Sequence, residues 1–159
     1  MRRGFHRLAD SRRGTGPRRD RLVVAHPPEP ARGPGADLAG SCAGDTLLHT
    51  DLRADNVLLT GDRVMIVDWP HACQGADFID VVFLAPSVAM QGGPPPGDLL
   101  AMTRAGRAAS REALASTVCA VAGYLTQRSL LLPPPGRPTV RAFQAAQGAI
   151  ARQWLAGLL

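Results

Sequence analysis

The sequence contains no lysine; its 18 strongly basic residues are all arginine. That absence excludes mechanisms built on a lysine ammonium, including the phosphate grip of a P-loop and Schiff-base chemistry. Aromatic residues are only 4%, so Leu, Val and Ala must fill whatever core the 45% hydrophobic fraction builds. The three cysteines, Cys42, Cys73 and Cys119, are too widely spaced for a CxxC zinc or redox pair. They offer no disulfide framework either, and a reducing, cytoplasmic setting is expected. Long apolar runs are missing too. The longest, from Ala113 to Leu125, falls short of the roughly 20 residues that a membrane span needs. Residues 1–14 are rich in arginine but lack the apolar stretch of an export signal. A length of 159 residues suits one domain.

The net charge of +5 conceals an uneven distribution. Residues 1–40 hold nine arginines against four acids, residues 41–80 two against seven, and residues 81–159 seven against two. The acidic middle is therefore local. Clustered carboxylates of this kind serve a cation or a ligand, or else form a solvated face with caps and turns.

Residues 1–36 are dominated by Arg, Pro and Gly, and only Leu22-Val23-Val24 could seed a strand. Such a stretch buries too little surface to offset its ordering entropy, so it is expected to be disordered. A basic arm can bind nucleic acid, but this one lacks interleaved aromatics beyond Phe5, and nucleic acid is not an expected partner. From residue 37 the texture changes. Thr46-Leu47-Leu48 reads as a short strand running into His49. Residues 56–60 and 63–68 read as two further strands joined by a Gly61-Asp62 turn, a hairpin signal. From Ala76 onward the pattern is helical. Asp77 is expected to cap a helix through Val81–Leu84 that Pro86 ends or kinks, and Asp98 a short helix reaching Gly106. Ser110 is expected to cap a longer helix with Leu114, Val118, Val121 and Leu125 on one stripe. After the break at Pro133–Gly136, Thr139 opens a last helix carrying Val140, Phe143, Ile150 and Trp154. Both stripes read as core packing. The fold class expected is α+β, a small β-hairpin followed by a mostly helical remainder.

The chemistry-bearing stretch is His49-Thr50-Asp51-Leu52-Arg53-Ala54-Asp55-Asn56, followed twelve residues later by Asp68. Asp51 projects from a loop after a strand, Asn56 lies where that loop enters the next strand, and the hairpin returns Asp68 beside it. One carboxylate then stands near an acceptor hydroxyl, while a carboxamide oxygen and a second carboxylate converge on a divalent cation, a donor set of the hard oxygens magnesium prefers. Singly, each residue has a plainer reading: turn carboxylates for Asp51 and Asp68, a strand-start cap for Asn56, a satisfied core histidine for His49, a helix-surface charge for Asp80. Their joint spacing favours the site. Arg53 and Asp55 read as a local pair that shapes the loop, with contact between Arg53 and a phosphate as a further role.

These residues resemble the catalytic loop H-x-D-x-x-x-x-N of the protein-kinase-like superfamily, with its downstream metal-binding Asp. The closer likeness is to the aminoglycoside phosphotransferase family, whose loop commonly reads H-G-D-x-x-x-x-N before an apolar strand ending in I-D-[FW]. Val67-Asp68-Trp69 matches that strand end, Gly75 and Asp80 match a Gly with an Asp five residues later, and Thr50 departs from the usual Gly. The close likeness covers residues 37–90; the helices beyond fit the family's C-terminal lobe only in kind. It implies a kinase-like C-terminal lobe over residues 37–159 and ATP-dependent phosphorylation of a small-molecule hydroxyl. Asp51 would be the catalytic base, braced by His49. Asn56 and Asp68 would bind magnesium and, through it, ATP, and Asp80 would support the loop.

That family clamps ATP with an N-terminal lobe that uses a lysine paired to a glutamate. The 48 residues before His49 carry no lysine and only Glu29. The expectation is a truncated form with residues 1–36 foreign to the fold, and with little turnover of its own. The helical half offers only Asp98 and Glu112 against seven arginines, so a neutral or anionic substrate is expected rather than a polycation. Two other readings compete. One is a non-catalytic, pseudokinase-like binding module. The other is a metal-dependent hydrolase built on His49 and Asp51, which would need more ligands than His71 and Cys73 supply.

Overall fold

The computed structural model describes residues 38–159; the segment expected to be disordered, residues 1–36, lies outside them. The described chain is α+β. A short helix α1 (Leu38–Ser41) leads into strand β1 (Thr46–Leu48). A 3-10 turn (Ala54–Asn56) precedes β2 (Val57–Leu59), and β3 (Val64–Ile66) and β4 (Cys73–Gly75) follow. Five helices complete the chain: α2 (Ile79–Met90), α3 (Pro96–Ala101), α4 (Arg104–Ala108), α5 (Arg111–Ser129) and α6 (Val140–Leu158). No helix among the described residues is long and apolar enough to cross a membrane.

The strands form two separate antiparallel pairs. β2 and β3 make the expected hairpin, with Leu58 opposite Met65, closed where the Thr60 N–H donates to the Arg63 carbonyl at 2.9 Å. It is shorter than expected, because Asn56 belongs to the 3-10 turn. β1 pairs with β4, a strand not anticipated, setting Thr46 opposite Gly75 and Leu48 opposite Cys73. Nothing local in Cys73-Gln74-Gly75 signals a strand; the partner 27 residues earlier makes it one. Two glycines permit the close approach. A Cβ on Gly44 would lie 2.5 Å from the Gly75 carbonyl oxygen, and one on Gly75 would lie 2.6 Å from Leu48 Cδ1.

The core lies among the helices. Val82 of α2 and Val118 of α5 are fully buried, with Leu48, Phe78, Ile79, Leu100 and Leu125 around them. The α5 stripe falls as its periodicity predicts, widened by Thr117 and Ala122, and Ser110 Oγ accepts from the Ala113 N–H at 3.1 Å as its cap. On α6 the most buried residues are Gln147, Gly148 and Ala151. Val140, Phe143, Ile150 and Trp154, the residues expected on one face, are all half-buried. Small residues here let α6 approach α5: a Cβ on Gly148 would already stand 3.4 Å from Leu125 Cβ.

Four helix boundaries differ from expectation. Asp77 does not cap α2; the capping position is Phe78, which buries its ring in the core instead. Pro86 does not end that helix, which runs on to Met90 with the proline inside it. Its ring is fully buried, and that burial offsets the missing backbone bond. Asp98 is no cap either, but sits in the first turn of α3, which Pro96 opens. The helix expected to reach Gly106 is two helices, because Thr103 Oγ1 accepts from the Gly106 N–H at 3.0 Å and starts α4 afresh.

Candidate functional site

β1 delivers His49 into the interior, where it is 1% exposed. Its ring is satisfied at both nitrogens. Nδ1 accepts from the Asp51 N–H at 3.3 Å, so Nε2 carries the proton and donates to the Val67 carbonyl at 2.9 Å. The histidine thus spans the two strands that flank the site, joining the start of the 49–56 loop to the residue before Asp68. The edge of the Trp69 indole packs against it with ring centroids 4.8 Å apart, and the indole N–H donates to the Ile66 carbonyl at 2.9 Å.

The far end of the loop is closed by Asn56. Its Nδ2 donates to the Asp51 carbonyl at 2.9 Å, and its own carbonyl accepts from the Val67 N–H at 3.0 Å. With Nδ2 committed, Oδ1 is the atom left for another partner. From below, Asp80, in the first turn of α2, accepts from the His49 N–H through Oδ2 and from the Thr50 N–H through Oδ1, both at 2.8 Å. A carboxylate there also suits the positive end of the helix. β4 and the turn after it are what bring α2 under the loop. Burial and the Asp80 charge together push the Cys73 thiol above its ordinary value.

His49, Asp51, Asn56 and Asp80 therefore form one hydrogen-bonded unit, and Asp68 follows directly on Val67 within it. The Asp51 and Asp68 carboxylates accept no hydrogen bond among the described residues. Their backbones are linked through one ring, since His49 bonds both the Asp51 N–H and the carbonyl of Val67, the residue before Asp68. The Arg53 guanidinium bonds the Asp55 carboxylate, the strongest of the influences that raise its pKa. The same bond holds the Asp55 carboxyl below the ordinary aspartate range. That exposed pair favours the folded loop above the ordinary aspartate range and loses its contribution as the pH falls through the lowered value. Arg53 also edges an open cleft of about 450 Å³ that Val57, Leu59, Leu84, Val88 and Gln91 line.

A carboxamide oxygen such as Asn56 Oδ1 and a carboxylate such as that of Asp68 are hard oxygen donors of the kind a divalent cation accepts. Among the described residues no three of His, Cys, Asp and Glu gather into a metal-binding group. Sequence reasoning gave no role to the Thr50 side chain or the Trp69 ring. The signals were there in a threonine where glycine is usual and an aromatic beside Asp68. Comparison with protein families, with curated proteins and with solved structures found no match.

Proposed function

We propose that the chain is the C-terminal part of a small-molecule phosphotransferase of the aminoglycoside phosphotransferase type, in a kinase-like lobe, which uses ATP and magnesium to phosphorylate a hydroxyl group. The observation that carries this reading is the bracketed loop. His49, Asp80 and Asn56 fix the backbone on both sides of Asp51, while the hairpin returns Asp68 to the same neighbourhood. The likeness of His49–Asn56, Val67–Trp69 and Gly75 with Asp80 to that family's motifs supports it.

In this reading Asp51 orients the acceptor hydroxyl and takes its proton. Its backbone is pinned at the N–H by His49 and at the carbonyl by Asn56, so the carboxylate starts from a fixed base. Asn56 Oδ1 and the Asp68 carboxylate would hold magnesium, which when bound neutralises charge on the phosphates. Arg53 adds a cation on which the charges of both carboxylates act. In a second reading the same lobe binds nucleotide without turning it over.

The test is a titration of the full chain with ATP, with and without magnesium. Binding that requires magnesium and disappears in Asp68→Ala is the expected result. ATP binding indifferent to magnesium, or retained in Asp68→Ala, would overturn both readings. Phosphoryl transfer to a hydroxyl acceptor that is lost in Asp51→Asn separates the enzyme from the binding module.

A further inference from the structure

Thr50 (φ 61°) and Asp68 (φ 64°) are the non-glycine residues with positive φ among those described, and they stand in the same site. A β-branched residue seldom takes this conformation, and it persists only where the surroundings over-determine it. Around Thr50 they do. Its N–H is held by Asp80 at 2.8 Å, as is the N–H of His49 before it. Glycine would meet the same demand on the backbone without strain. What glycine lacks is the hydroxyl, and here Thr50 Oγ1 donates to the His71 carbonyl at 3.0 Å. His71 lies in the segment through which the chain leaves Asp68. One end of that segment is also fixed, because the Trp69 indole bonds the Ile66 carbonyl and packs on His49.

We propose that Thr50 is a positioning residue: its hydroxyl ties the segment after Asp68 to the loop that carries Asp51, and so sets the direction in which the Asp68 carboxylate enters the site. The left-handed backbone at Thr50 aims the hydroxyl at His71, and the left-handed backbone at Asp68 turns the chain toward that tether. The strain at the two residues thus belongs to one arrangement. The link to a cation rests on the function proposed above; the tether itself does not.

Three substitutions in the full chain separate the parts. Thr50→Gly removes strain and hydroxyl together, Thr50→Val keeps the β-branch without the hydroxyl, and Thr50→Ser keeps the hydroxyl. Amide exchange at residues 69–73 reads the tether, and magnesium-dependent ATP binding reads the orientation of Asp68. In Thr50→Gly and Thr50→Val, exchange should quicken and binding weaken by about tenfold each, the worth of one hydrogen bond. Thr50→Ser should restore both to near the wild-type values. Unchanged exchange in Thr50→Gly and Thr50→Val, or a Thr50→Ser as impaired as Thr50→Val, overturns the tether. Faster exchange with unchanged ATP binding overturns the positioning role. If the wild-type chain itself binds no magnesium–ATP, the phosphotransferase reading fails, and the exchange measurements still decide the tether.

Discussion

Asp80 is the residue on which the site's backbone depends most. Two N–H groups from consecutive residues, His49 and Thr50, converge on its two oxygens, an arrangement that a carboxylate meets and a neutral side chain of similar size meets only in part. Removing the carboxylate leaves both donors unpaired beside a histidine that is 1% exposed. Asp80→Ala should therefore cost about 2–4 kcal/mol of stability, read as a lower urea midpoint with an unchanged slope. Asp80→Asn should lose about half of that, since its amide accepts through only one oxygen. Equal losses in the two variants would show that the charge and the second acceptor contribute nothing. The residue was visible in the sequence through its spacing from Gly75, but its partners were not. A helix-surface aspartate and a backbone clamp look alike until the fold sets a loop above the helix.

At the level of elements, the β1–β4 pair does more for the site than the hairpin does. It joins the strand that enters the loop to the strand that leads into α2, so Leu48 is buried while Asp80 arrives beneath His49. The pair closes over two glycines, and Gly44 is the less forgiving. A Cβ there meets the carbonyl oxygen of Gly75 at 2.5 Å and Ala76 Cα at 2.7 Å, backbone atoms that cannot rotate away. Gly44→Ala should destabilise the fold by about 2–3 kcal/mol. It should also quicken amide exchange at Thr46–Leu48 more than in α5, as hydrogen-exchange mass spectrometry would show. Exchange that rises equally in both elements would mean that the sheet and the helices unfold as one unit. The hairpin was legible because two apolar runs flank a compact turn, whereas β4 was not, because its pairing is long-range and its side chains carry no alternation. Among the helices, α5 was legible from its apolar stripe. The buried centre of α6 was not, since Gln147 and Gly148 are a polar and a small residue.

At the scale of the whole molecule, exposed apolar side chains among the described residues gather in two places, the hairpin and the turn after α5, where Leu130 is 82% and Leu132 89% exposed; only the hairpin adds open strand edges to them. Leu59 is 78% exposed and Val64 67%, with Leu58 and Met65 at 49% each. A two-stranded hairpin with apolar side chains in water is marginal by itself, and its outer edges invite pairing with another chain. The helical half presents a different surface, with seven arginines and only Asp98 and Glu112 of opposite sign. Self-association at high protein concentration should therefore run through the hairpin. Leu59→Thr should reduce it, measured by sedimentation, while changing stability by no more than about 0.5 kcal/mol. Association unchanged in Leu59→Thr but relieved by high salt would place the contact on the charged helices instead.

Local chemistry written along the chain was enough to determine the α+β class, the hairpin, the apolar stripe of α5 and the cap at Ser110. These depend on periodicity, turn residues and spacing within a few positions, which act before any tertiary contact forms. The tertiary structure alone decided that β4 pairs with β1, that Asp80 clamps His49 and Thr50, that Pro86 stays inside its helix, and that Thr50 and Asp68 turn left-handed. Each of those outcomes is set by contacts between distant segments, whose packing and hydrogen bonds outweigh local preferences of about 1 kcal/mol per residue.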